Sequence, residues 1–140
     1  MRLFLFIFLV YQSQAFGKDI CGETWNTSWA IETSSNKITR LDKKFFPEKY
    51  CEPAPPINSN TLFQILDDSK RVTFSKEIFV AFDAYFDDLD PKTKKFEGGV
   101  TRPKKVEVIV KFPRTEATIK GKYVRFLNKS DKRVLGMHEL

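Results

Sequence analysis

The chain has 140 residues, a formal net charge of +6, 14 phenylalanines, two cysteines and one histidine. A single imidazole, His138, and the lack of a Cys-x-x-Cys pair leave no zinc ligand set and no credible Ser–His or Cys–His catalytic pair. The length suits one domain and leaves no room for a second once a leader is set aside.

Met1-Arg2, the apolar run Leu3 to Val10 and the stretch ending in Ser13-Gln14-Ala15 have the three parts of a secretory signal peptide. Residues 1–15 are therefore expected to be removed, leaving a secreted β-rich domain over residues 16–140. The apolar run is shorter than the ~20 residues a membrane-spanning helix needs, and nothing after Ala15 approaches that length, so no transmembrane anchor is expected. Export places Cys21 and Cys51 in an oxidising compartment, where pairing with each other is expected over an intermolecular bond or free thiols. Asn26-Thr27-Ser28 and Asn128-Lys129-Ser130 become glycosylation acceptors at the surface. Lys18-Asp19-Ile20-Cys21-Gly22 resembles the opening of a family of secreted lipid-recognition sandwiches. That likeness spans five residues, departs from the family in cysteine number and transfers no site.

Phe16 to Asn36, rich in Thr, Ser and Asn around Trp25 and Trp29, reads as a loop or irregular strand whose tryptophans fold back on the core. Lys37 to Phe46 reads as a strand ending at Pro47. Cys51-Glu52-Pro53-Ala54-Pro55-Pro56 is a linker, because proline lacks a backbone donor and restricts the residue before it. Thr61–Leu66 and Arg71–Ser75, joined by Asp67-Asp68-Ser69-Lys70, predict a β-hairpin. Glu77 to Phe86 fits a strand with Ile78, Val80, Phe82, Ala84 and Phe86 on one face; a helix capped by Ser75 is the alternative. Val106 to Phe112 alternates cleanly with Val106, Val108, Val110 and Phe112 inward. Ala117 to Leu127 reads as a further strand, bent or bulged at Gly121. These elements predict a mostly β chain, folded as a single antiparallel β-sandwich or barrel-like domain.

Charge divides unevenly: residues 16–90 carry 9 Lys and Arg against 13 Asp and Glu, residues 91–140 carry 14 against 5. Asp90 to Lys105 is the longest stretch without a clear element and holds Lys92, Lys94, Lys95, Arg102, Lys104 and Lys105, the candidate anion-binding residues. The expected function is that of a secreted, non-enzymatic binding module. Its basic C-terminal half would engage an anionic glycan, phospholipid headgroups at a lipid surface, or an acidic protein. Eleven phenylalanines after Ala15 support an alternative, a lipid-binding sandwich holding an acyl chain in an aromatic-lined cavity. Nucleic acid is a poor fit to an exported chain without a stacking platform or basic helix. Asp83, Asp87, Asp88 and Asp90 lack the spacing of a calcium loop and read as a solvated turn, so neither metal nor cofactor is implied. Ser34-Ser35-Asn36-Lys37 matches S-x-x-K by chance, in a polar stretch without companion motifs. Met137-His138-Glu139-Leu140 ends like an endoplasmic-reticulum retention signal but departs from it at Met137 and His138, leaving secretion preferred and lumenal retention the lesser alternative.

Overall fold

The computed structural model describes residues 21–140 and places all their side chains except those of residues 85–88 and 96–97. The segment read as a signal peptide lies outside the described residues. The elements are β1 (Cys21–Glu32), β2 (Lys37–Cys51), β3 (Thr61–Leu66), β4 (Val72–Ile78), β5 (Ala84–Leu89), β6 (Phe96–Thr101), β7 (Lys105–Arg114), α1 (Glu116–Ile119), β8 (Tyr123–Asn128) and β9 (Val134–Glu139). They form a three-stranded sheet β2-β1-β7, a four-stranded sheet β4-β3-β8-β9 and a separate two-stranded ribbon β5-β6, with every pairing antiparallel. The two larger sheets pack face to face as a β-sandwich.

The expected hairpin is present as β3 and β4, and β7 buries Val106, Val110 and Phe112 as the alternation requires. Of the two readings of the polar stretch, loop or irregular strand, the strand holds: it is β1, the centre of its sheet. Its pattern explains this: Thr27, Trp29 and Ile31 point inward while Asn26 and Ser28 alternate with them. Two tryptophans four apart share a face of a strand as well as of a helix. Thr27 is fully buried at no polar cost, because its hydroxyl donates to the Val110 carbonyl oxygen at 3.0 Å and accepts from Trp29 Nε1 at 2.8 Å.

β2 does not stop at Pro47 but continues to Cys51. Thr24 pairs with Phe46 and Glu23 with Lys49, so Pro47 and Glu48 form a bulge. Proline is tolerated there because β2 is an edge strand, and Thr24 Oγ1 donates to the Glu48 carbonyl oxygen at 2.8 Å to fasten the bulge.

The single strand expected over residues 77–86 is also corrected. β4 ends at Ile78, and the Asn60 side chain then clasps Val80 from both sides, donating to its carbonyl oxygen at 2.8 Å and accepting from its N–H at 2.9 Å. This inserts Val80 into the core at 2 % exposure and turns Phe79 outward at 48 %. The apolar periodicity correctly marked residues for burial, but a side-chain clasp from residue 60 replaced the ladder.

Likewise, Ala117 to Leu127 is not one strand. Thr115 and Thr118 cap each other across a single helical turn: the Thr115 N–H donates to Thr118 Oγ1 at 2.8 Å, and the Thr118 N–H to Thr115 Oγ1 at 3.4 Å. β8 begins only at Tyr123. The C-terminal residues form β9, where Leu135 is buried and the His138 ring lies edge-on to Trp29 at 5.9 Å.

Three hairpin turns share one design. Asp67, Asp90 and Asn128 open them, each accepting backbone N–H groups on its side-chain oxygen, and Lys70, Lys94 and Lys132 close them with φ of 61°, 58° and 60°. Asp and Asn suit the opening position because their short side chains satisfy local backbone donors.

The core fills the space between the sheets. Phe63 and Phe126 meet at 5.4 Å, Phe63 and Phe112 at 5.7 Å, and Trp29 and Phe126 at 5.9 Å between ring centroids. On one side the sandwich closes at Gly136 of β9, where any Cβ would collide with the Ile38 backbone and side chain of β2. Lys76 closes the other side. Its Nζ donates to the Lys111 carbonyl oxygen of β7 at 2.7 Å and pairs with Glu52 at 2.6 Å, both side chains being mostly buried. The second Glu52 oxygen, Oε2, is buried without a protein partner.

Candidate functional site

The stretch read as a long basic loop is the turn and second strand of the β5-β6 ribbon. Pairing runs from Ala84 opposite Thr101 to Leu89 opposite Phe96, and the Asp90 N–H donates to the Lys95 carbonyl oxygen at 2.9 Å to close it. Lys92, Lys94 and Lys95 are all exposed on that turn. Asp90 Oδ1 accepts from the N–H groups of Lys92 and Thr93, and these hydrogen bonds hold its carboxyl below the usual aspartate range.

The other nominated cations are elsewhere. Arg102 stands at the foot of the ribbon, with Nε 3.3 Å from Asp83 Oδ1, and Lys104 and Lys105 are exposed where β7 begins. Six strand residues separate tip from foot, about 20 Å at ~3.3 Å per residue. This exceeds the Debye length of ~8 Å at physiological salt, so the six cations form two groups rather than one field.

A third cationic surface escaped the charge count by halves. β2 carries Lys37, Arg40, Lys43, Lys44 and Lys49 and is exposed along nearly its whole length, with Leu41, Phe45 and Phe46 also showing at the surface. Those five cations belong to the half whose sum is acidic. The register places Lys44 of β2 and Lys111 of β7 on either side of Asn26 in β1. Asn26, a glycan acceptor by sequence, is thus half-buried in the middle of the sheet, where any sugar would share that row with two lysines. Asn128, the second acceptor, opens the β8-β9 turn: its Oδ1 accepts from the Ser130 N–H at 2.9 Å and the Ser130 hydroxyl at 2.7 Å.

Cys21 and Cys51 form a disulfide between directly paired residues at the open end of the β1-β2 hairpin. Ser35, in the S-x-x-K match, lies on the exposed turn at the other end and donates to Glu32. No group of three or more His, Cys, Asp or Glu among the described residues is arranged to hold a metal ion. No helix among them is long and apolar enough to cross a membrane.

Cavities among the described residues open at the surface. One, ≈ 370 Å³, runs beneath Pro53 and Pro55 along Leu62, Ser75 and the Glu52–Lys76 pair. Another, ≈ 150 Å³, lies at the end of the sandwich against Trp25 and Phe112, with Lys43 and Arg114 at its rim.

Fold and surfaces together define a disulfide-linked antiparallel β-sandwich with a two-stranded ribbon whose turn carries three exposed lysines. No protein-family model matches the chain, and neither a curated protein nor a solved structure matches it.

Proposed function

We propose that this protein is a secreted, non-enzymatic binding module that engages an anionic partner through exposed lysines: an anionic glycan, phospholipid headgroups or an acidic protein. One observation carries the reading: Lys92, Lys94 and Lys95 are exposed together on one turn whose backbone is fastened by Asp90. A fastened turn presents its charges without first having to be ordered, which lowers the entropic cost of binding. The disulfide accords with an extracellular or lumenal site of action. The acyl-chamber alternative draws less support, since aromatic side chains occupy the space between the sheets.

Replacing Lys92, Lys94, Lys95, Lys104 and Lys105 with Gln should abolish retention on immobilised heparin and on anionic vesicles at physiological salt. The fold should persist, because exposed lysines contribute little to stability. Splitting the set tests the two-group geometry: the tip variant K92Q/K94Q/K95Q is expected to lose more retention than the foot variant K104Q/K105Q. Elution of the five-fold variant at the parent's salt concentration means that these lysines do not bind the partner.

Secretion has its own measurement. Protein recovered from the medium of expressing cells should begin at Phe16, since Ser13 and Ala15 are the small residues that signal peptidase accepts. An intracellular product retaining Met1 would remove the basis for export.

A further inference from the structure

We propose that the cavity at the end of the sandwich between Trp25 and Ile119 is a binding site for a small amphipathic carboxylate, one with an apolar body of about six to eight carbons. This is independent of the polyanion reading, which uses other residues.

Three elements of the sandwich and a helical turn build the site. Trp25 of β1, Phe112 of β7 and Leu140 form an apolar floor, and Ile119 of α1 forms a lip that is 60 % exposed. Trp25 also packs on Phe45 of β2, with ring centroids 5.0 Å apart. The volume of ≈ 150 Å³ is of the order of an engineered cavity in another protein, ~150 Å³, that binds benzene. It suits one ring or a short chain and is too small to enclose a full-length acyl chain.

Charge decides which end of a ligand is held at the rim. Lys43 Nζ sits 4.5 Å from the centroid of the Trp25 ring, and the Arg114 guanidinium 5.5 Å from that of Phe45. Among the described residues Arg114 has one ion-pair partner, Glu23, at 3.4 Å, and both side chains are about half exposed, so the pair is weak. Lys43 forms no ion pair with a carboxylate among the described residues. Partial burial and the neighbouring Arg40 push its ammonium below the usual lysine range. A cation partly withdrawn from water, beside a second cation and above an apolar floor, is stabilised by an anion that brings its own apolar body. A neutral ligand of the same size gains only the floor.

The test uses the secreted protein with octanoate, below its micelle-forming concentration, and 1-octanol, below its solubility limit, as probes. Octanoate should bind saturably by calorimetry, at least tenfold more tightly than 1-octanol. It should also shift tryptophan emission, because Trp25 lines the cavity while Trp29 is fully buried in the core. In Trp25→Phe the emission change should vanish, which assigns it to the ring on the cavity floor. The double variant K43M/R114M should bind octanoate at least tenfold more weakly and 1-octanol unchanged. Lack of saturable octanoate binding, equal affinity for the two probes, or parental octanoate affinity in K43M/R114M each overturns the proposal. Should the double variant unfold, the contrast between octanoate and 1-octanol on the parent decides alone. Heparin elution reads the ribbon lysines separately, so either reading can fail without the other.

Discussion

Phe126→Ala is expected to destabilise the domain by about 3–5 kcal/mol, the range for deleting a buried aromatic ring from a packed core. Phe126 has 0 % exposure and lies on β8, which pairs with β3 on one side and β9 on the other. Its ring meets Trp29 of the opposite sheet at 5.9 Å and Phe63 at 5.4 Å. Truncation therefore leaves a void bounded by two rigid aromatic rings and fixed strands, which cannot collapse to fill it. A domain of this size would melt lower by about 15 °C, scaling from a few degrees per kcal/mol. Phe79→Ser is the control: Phe79 is turned outward, and its replacement should change stability by less than about 0.5 kcal/mol. Urea unfolding monitored by tryptophan emission gives both values. A loss below 1 kcal/mol for Phe126→Ala would mean that the two sheets do not meet at this ring.

Removing the disulfide should have a comparable effect. Cys21 and Cys51 are 30 residues apart in sequence, and closing a loop of that size restricts the unfolded chain by about 3–4 kcal/mol in the chain-entropy model. The bond also joins paired residues at the end of the β1-β2 hairpin farthest from its turn, where an unlinked edge strand would fray first. The double variant C21A/C51A should lose about that much stability. Its amide exchange should quicken first around Gly22 to Thr24 and Phe46 to Tyr50, while the turn at residues 33–36 changes little. Non-reducing peptide mapping of the parent should show one intramolecular bridge. A covalent dimer or two free thiols would refute the pairing.

Much of the β architecture was legible where the pattern was local. The alternation of Val106, Val108, Val110 and Phe112 identified β7, and Asp67 to Lys70 between two apolar runs identified the β3-β4 hairpin. Misreadings arose where a distant group set the backbone. Asn60 clasps Val80 and ends a strand that periodicity alone would continue. The Thr115–Thr118 cap went unread, because two threonines three apart are too common a spacing to end a strand on their own. β1 was obscured by its polar outward residues, which lie between flanking strands rather than in a loop.

The candidate surfaces were less legible than the fold. Summing charge over halves of the chain selected the basic C-terminal half and hid the cations of β2, because Asp and Glu elsewhere in residues 16–90 outnumber them. Antiparallel pairing then sets β2 and β7 on the two flanks of β1, bringing Lys44 and Lys111 into one row although they lie far apart in the chain.

Sequence alone determined the class of fold and the identity of the disulfide partners. Period-two alternation needs only neighbouring residues, and two cysteines admit one intramolecular pairing. Tertiary structure decided the rest. It separated the ribbon's lysines into a tip and a foot, exposed β2, and placed Lys43 and Arg114 over a cavity floored by Trp25 and Phe112. The physical reason is that register and sheet packing bring together residues up to about a hundred positions apart, and a charge or a ring acquires its environment only from those partners.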